Sequence, residues 1–288
     1  MPLETTLAGA YPKIGDTTEE QKLRRALHQF DKGELSEEDL ERVKNEVTEE
    51  VIRQQIEAGL DLVTDGLIRW EDPLTYLAGK MMGFQINGLI RYLDTNTFYR
   101  QPIVETRIES VKPFLVSDYQ FAQERSSKPV RVVLTGPYTL AWLSRNRFYR
   151  EFRQLAFDLA HIMHRESCAL EEAGCRFIQF DEPALLSHKM DLGLFTQVYE
   201  ILTAQLSKAE KTLHLHFGTL EGIYPKILSL HVDRIGLELT KGHKNWEVLK
   251  SAPFQKKMMA GIVDARNTRM ESEQELVDQV HVLGEHVN

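Results

Sequence analysis

Residues 176–183 read RFIQFDEP and residues 212–218 read TLHLHFG, and how these two stretches fold decides the architecture. Each is a short apolar run that stops abruptly at polar residues, Gly or Pro, the pattern of a buried strand running into a turn. The pattern recurs outward from them at 5–12 (TTLAGAYP), 61–67 (DLVTDGL), 130–137 (VRVVLTGP), 234–239 (RIGLEL) and 258–264 (MMAGIVD). Between these runs lie amphipathic stretches such as 37–57 and 148–172, whose apolar positions repeat at three and four residues. Ser36 followed by Asp39 suits an N-cap, and Gly59 and Gly174 stand where helices stop ahead of a strand. Strand and helix in alternation imply a parallel sheet with helices outside. The predicted fold is therefore an α/β TIM (β/α)8-type barrel, one domain over 1–288, with an insertion at about 81–117 that carries its own elements.

Seven strand-like runs are visible, whereas a closed barrel of this kind has eight. Residues 272–283 read as one more amphipathic helix, with Leu276, Val280 and Leu283 on its apolar face. An eighth strand is not evident in the sequence. Either it is expected beyond Asn288, or another segment or a second chain is expected to close the gap, because open strand edges invite pairing.

Composition narrows the function classes. A formal net charge of -8 argues against an electrostatic grip on nucleic acid, whose phosphates reward a basic face. No window reaches the roughly 18 apolar residues of a membrane span, and the first fifteen residues lack the charge and apolar run of a secretion signal. Two cysteines, Cys168 and Cys175, do not suggest a disulfide framework. A cytoplasmic protein without nucleic-acid or membrane partners is expected.

The strand ends carry the candidate chemistry. They are Tyr11-Pro12-Lys13, Asp65-Gly66, Thr135-Gly136-Pro137, Asp181-Glu182-Pro183, His214-Leu215-His216, Glu238 and Asp264-Ala265-Arg266-Asn267. In a parallel barrel all strand C-termini open on one face, where active sites are built. Turn chemistry explains the glycines and prolines, but not carboxylates, histidines and an arginine together. His214 and His216, two apart on a strand, share a face; with Glu238 they are candidate metal ligands, although a buried His is more often a hydrogen-bonded core residue. Of Asp181 and Glu182, alternation sends one inward, where a carboxylate binds a substrate amine, and leaves a capping role for the other. Lys22, Arg24, Arg25 and Arg91 offer cations to carboxylates or phosphates, while Trp70, Trp142 and Trp246 suit packing.

Taken in order, YPKIG, QKLRRAL, FDKGELSEEDL, DLVTDGL, LDTNTFYRQP, TGPYTL, FIQFDEPAL, LHFG and GIVDARN resemble the cobalamin-independent methionine synthases over nearly the whole chain. That family has two similar barrels: a C-terminal one with zinc, homocysteine and the chemistry, and an N-terminal one that helps to hold the polyglutamate tail of methyl-tetrahydrofolate. The DTN run, the Phe-Gly after the fifth strand and VD-x-RN after the seventh are closest to the N-terminal barrel, which places Arg24 and Arg91 at the glutamyl tail. Against the catalytic barrel, His216 and Glu238 match the zinc His and Glu, and Asp181 matches the carboxylate that holds the homocysteine amine. The zinc Cys position is Gly218, the homocysteine Glu position after Asp65-Gly66 is Leu67, the catalytic His position is Arg266 and the first-strand Ser position is Ala10.

The resemblance thus implies catalytic roles at Asp181 and Arg266, substrate contacts at Arg24, Arg91, Asp65, Asp181 and Glu182, and zinc at His216 and Glu238, with no bound cobalamin. It implies methyl-tetrahydrofolate polyglutamate or another methyl donor, homocysteine or another thiol, and a separate catalytic barrel subunit as partners. The alternative is an active zinc-dependent S-methyltransferase with a rearranged metal site and another thiol acceptor or donor.

Overall fold

The computed structural model describes residues 3–13, 15–240 and 244–287. In chain order the strands are β1 (Met82–Arg91), β2 (Phe98–Glu109), β3 (Arg131–Thr135), β4 (Arg145–Asn146), β5 (Phe177–Asp181), β6 (Glu210–Leu215), β7 (Arg234–Glu238) and β8 (Lys257–Gly261). β3, β5, β6, β7 and β8 form a parallel sheet in that order. Parallel bridges between Val63 and Val130 and between Thr6 and Leu62 continue the series on the other side of β3. The seven runs singled out in the sequence therefore lie side by side in chain order.

Among the described residues the parallel series has no eighth member and no closed barrel is seen. Phe254, just ahead of β8, makes a parallel bridge with Val287, and its amide donates to the His286 carbonyl at 3.3 Å. The chain after the last helix thus lies against the segment that leads into β8.

Local chemistry fixes the helix ends. Ser36 accepts the Asp39 amide and opens the helix Glu37–Glu57, and Gly59 and Gly174 turn the chain out of their helices with φ of 82° and 95°. The next long helix spans Phe152–Glu172 rather than starting at 148, because Asn146 Oδ1 accepts the Phe148 and Tyr149 amides and holds a turn there. The last helix, Glu273–His286, carries a capping box between Ser272 and Glu275. The helix Phe152–Glu172 buries Leu155, Leu159, Met163 and Leu170 in the main core, each worth roughly 1.5–3 kcal/mol in burial. Among the described residues no helix is long and apolar enough to cross a membrane.

The insertion is an antiparallel hairpin of β1 and β2, extended by the short β4. Its tip pairs Arg91 with Phe98, and the Thr95 hydroxyl donates to the Tyr92 carbonyl at 2.6 Å across the turn. Its return is held by Glu166, whose buried carboxylate accepts the amides of Phe114 and Leu115 at 2.7–3.1 Å. Asp72 accepts the Arg100 amide from the other side at 3.0 Å. These anchors hold the hairpin against the strand C-termini.

Candidate functional site

Parallel register places Asp181 at the end of β5 directly beside His214 on β6. His214 Nδ1 lies 2.9 Å from Asp181 Oδ1, and Gln179 Nε2 donates to the same oxygen at 2.7 Å. Burial pushes the Asp181 carboxyl up, but His214, His216 and Gln179 together outweigh it and hold the group below its ordinary range. Asp181 is an anion at neutral pH.

His216 follows on the same face, its ring centroid 4.7 Å from that of His214. Burial, and then the neighbouring His214, push its pKa down to about 4, so the imidazole is neutral. Its Nδ1 is buried with no hydrogen-bond partner among the described residues. The next residue, Phe217, adopts a φ of 62°, and this left-handed turn aims its amide at Glu238 Oε2, 2.9 Å away. Glu238 closes the chain of contacts, since its Oε1 accepts from the Arg266 guanidinium and, at 3.3 Å, from the Thr240 hydroxyl. Burial pushes Glu238 up, and the Phe217 amide and Arg266 more than compensate, leaving it below the ordinary carboxylate range. Arg266 also reaches Asp264 Oδ1 at 3.3 Å and stands 5.0 Å over the Phe217 ring.

Asp181, His216, Glu238 and Arg266 thereby stand side by side at the strand ends, His216 through ring contacts with His214 and Phe217. The other candidates lie apart from them. Glu182 has no solvent exposure, and its carboxylate accepts the Tyr138 and Thr139 amides at 3.1 and 2.7 Å, capping the helix Pro137–Leu143. The fold thus takes up the carboxylate expected to contact substrate, and of the pair it is Asp181 that remains for a ligand.

Asp65 accepts the Leu67 amide at 3.0 Å and keeps company with Asp118, Arg69 and Lys13; burial raises its pKa. In that neighbourhood burial brings the Lys13 ammonium down to about 8, against the pull of Asp65, Asp72 and Glu71. Arg24 lies exposed on the helix Lys22–Asp31 and Arg91 lies exposed at the end of β1, two separate elements.

Among the described residues no three His, Cys, Asp or Glu side chains converge as a metal-binding group. Glu238 is turned to Arg266 and the Phe217 amide, and His216 faces His214 and Phe217.

Three participants were not singled out from the sequence: Gln179, Phe217 and Tyr92. Gln179 stands two residues before Asp181 on the same strand face, so alternation could have found it. Tyr92 comes from the hairpin. It is 5% exposed and packs edge-on against Phe217, with centroids 6.3 Å apart, and its hydroxyl pKa is raised by burial and by Asp181 and Glu182. Nothing in the residues around Tyr92 announces that contact, because it depends on where the insertion lies down.

Comparison with known proteins identifies the family. Residues 3–286 match the family described as cobalamin-independent synthase, catalytic domain. The methionine synthase of Saccharolobus solfataricus is 32% identical over 286 residues, covering 99% of this chain and 84% of that protein. The methionine synthase of Sulfurisphaera tokodaii is 31% identical over 283 residues, covering 98% and 81%. In fold, the chain is similar to a B12-independent methionine synthase from Shewanella sp. W3-18-1 in complex with selenomethionine, with a TM-score of 0.80, 24% identity and coverage of 88% and 80%. The sequence motifs leaned toward the family's N-terminal barrel, whereas the matching family description is that of the catalytic domain. The chain belongs to the cobalamin-independent methionine synthase family.

Proposed function

We propose that this chain binds methyl-tetrahydrofolate polyglutamate and homocysteine at the strand C-termini and supports methyl transfer between them in methionine biosynthesis. The observation that carries this reading is the ionised Asp181, held by His214 at 2.9 Å and by Gln179 at 2.7 Å. A preorganised carboxylate of this kind is the counter-charge that the ammonium group of an amino acid requires. Glu182, the other carboxylate at this strand end, is occupied by backbone amides, so the ammonium is assigned to Asp181 alone. Arg24 and Arg91, both exposed, are the cations assigned to the glutamyl carboxylates of the donor. Tyr92 covers the site from the hairpin and limits water around the ligand.

Calorimetry on the full chain tests the reading. Homocysteine is expected to bind the parent and to lose binding in Asp181→Asn, and triglutamyl methyl-tetrahydrofolate is expected to bind more tightly than the monoglutamate. Equal or absent binding of the two folates sinks the donor assignment, and unchanged homocysteine binding in Asp181→Asn sinks the acceptor assignment.

The second reading, an active zinc-dependent S-methyltransferase using another thiol, draws on the unpaired Nδ1 of His216. It requires Glu238 to leave Arg266. Stoichiometric zinc in protein purified without a polyhistidine tag is its test.

A further inference from the structure

By resemblance, three zinc positions of the family fall on His216, Gly218 and Glu238, and two of these three are closed to an ion for separate physical reasons. At Gly218, a side chain would begin with a Cβ 2.6 Å from Leu186 Cβ, closer than carbon atoms approach. Leu186 is itself buried in the core, so a thiol at 218 requires the core to move. Glu238 has both oxygens engaged, Oε2 by the Phe217 amide at 2.9 Å and Oε1 by Arg266 and Thr240. The guanidinium is fixed in turn by Asp264 and by the face of Phe217. A divalent ion brought to this carboxylate would meet a permanent positive charge, because arginine does not deprotonate in proteins. It would also displace a charge-assisted hydrogen bond. Of these three positions only His216 then offers a ligand, a single nitrogen, whereas zinc takes four ligands.

We propose that Arg266 stands in for the metal in this chain: its guanidinium supplies the fixed positive charge that holds Glu238 and the Phe217 turn, and the site works without zinc. The inference is independent of which substrates the site takes, since it concerns the charge built into the strand ends.

Zinc binding by the full chain, measured in competition with a chromophoric chelator and by elemental analysis, is the test. The parent is expected to hold far less than one zinc per chain, and its thermal midpoint is expected not to move with zinc or with chelator. Removing the guanidinium and restoring the thiol, in Arg266→Ala with Gly218→Cys and Leu186→Ala, is expected to tighten zinc binding by about tenfold or more. A further His216→Ala should abolish that gain. One zinc per parent chain that His216→Ala removes overturns the proposal. So does a folded triple variant that binds zinc no more tightly than the parent. The measurement on the parent needs no variant to fold, and homocysteine and folate affinities, read separately by calorimetry, leave the substrate assignment standing or falling on its own.

Discussion

His214 and Asp181 sit opposite one another in the β5–β6 register, with Nδ1 2.9 Å from Oδ1, so strand pairing itself assembles the anion of the site. Burial alone would raise the Asp181 pKa, and the two imidazoles with Gln179 reverse that. A carboxyl with a depressed folded pKa adds stability that is present above its unfolded value, near about 3.9, and is lost as pH falls through the lower folded value. His214→Ala removes the largest of the opposing influences. The Asp181 carboxyl is then expected to titrate at higher pH, and homocysteine binding to fail earlier on acidification. A carboxyl-carbon NMR titration that shows no upward movement in the variant would contradict the pairing.

Glu182 carries the opposite sign. Burial pushes it up to about 8, against the pull of Thr139 and Tyr138. An acid with a raised folded pKa adds stability that is complete below its unfolded value, near about 4.3, and is lost as pH rises through about 8. Below about pH 8 the buried Glu182 is a neutral acid, so Glu182→Gln, also neutral with one carbonyl oxygen, is expected to change stability little at the acidic end of that range. It should also remove the decline in stability between roughly pH 5 and pH 9. Urea unfolding at both ends of that range reads the two effects, and a variant with the parent's slope would refute the assignment.

How much of this was visible in the sequence depends on which physics places each residue. The strand runs and the helix cap at Ser36 are local: five of the seven runs form strands where their patterns put them, and the runs at 5–12 and 61–67 join the series by single bridges. Asp181, His216, Glu238 and Arg266 were legible as one group because strand ends in a parallel sheet must gather on one edge. Which of Asp181 and Glu182 would face a ligand was not, since it turns on Glu182 reaching across to the amides of Tyr138 and Thr139, 44 and 43 residues away. The same holds for Glu166, which reaches 51 residues back to the Leu115 amide. Contacts of such range leave no periodic trace in a sequence.

Arg24 and Arg91 are exposed and lie on separate elements, so the role proposed for them in binding is long-range attraction rather than a built pocket. Arg24→Ala with Arg91→Ala is therefore expected to weaken binding of triglutamyl folate strongly at low salt and little at high salt, because exposed charges are screened over about 8–10 Å at ordinary ionic strength. Monoglutamate binding should change far less. Titrations across a salt series check this, and a loss of affinity independent of salt would assign the two arginines a packing role instead.

Tyr92 ties the hairpin to the site. Its ring stands edge-on to Phe217 at 6.3 Å and to Tyr99 at 6.0 Å, and it is almost wholly buried. Cutting it back to alanine leaves a cavity between hairpin and strand ends, a loss of about 3–5 kcal/mol for a buried aromatic. That loss falls locally, since β1 and β2 retain their own ladder while losing a principal contact with Phe217. Tyr92→Ala is thus expected to make the hairpin cleavable by protease under conditions in which the parent resists, and to speed ligand release. Tyr92→Phe keeps the packing and should behave like the parent in both assays. If Tyr92→Ala is cut no faster than the parent and its ligand dissociation rate is unchanged, the hairpin is held over the strand ends by Glu166 and Asp72 alone, and Tyr92 is not its clasp.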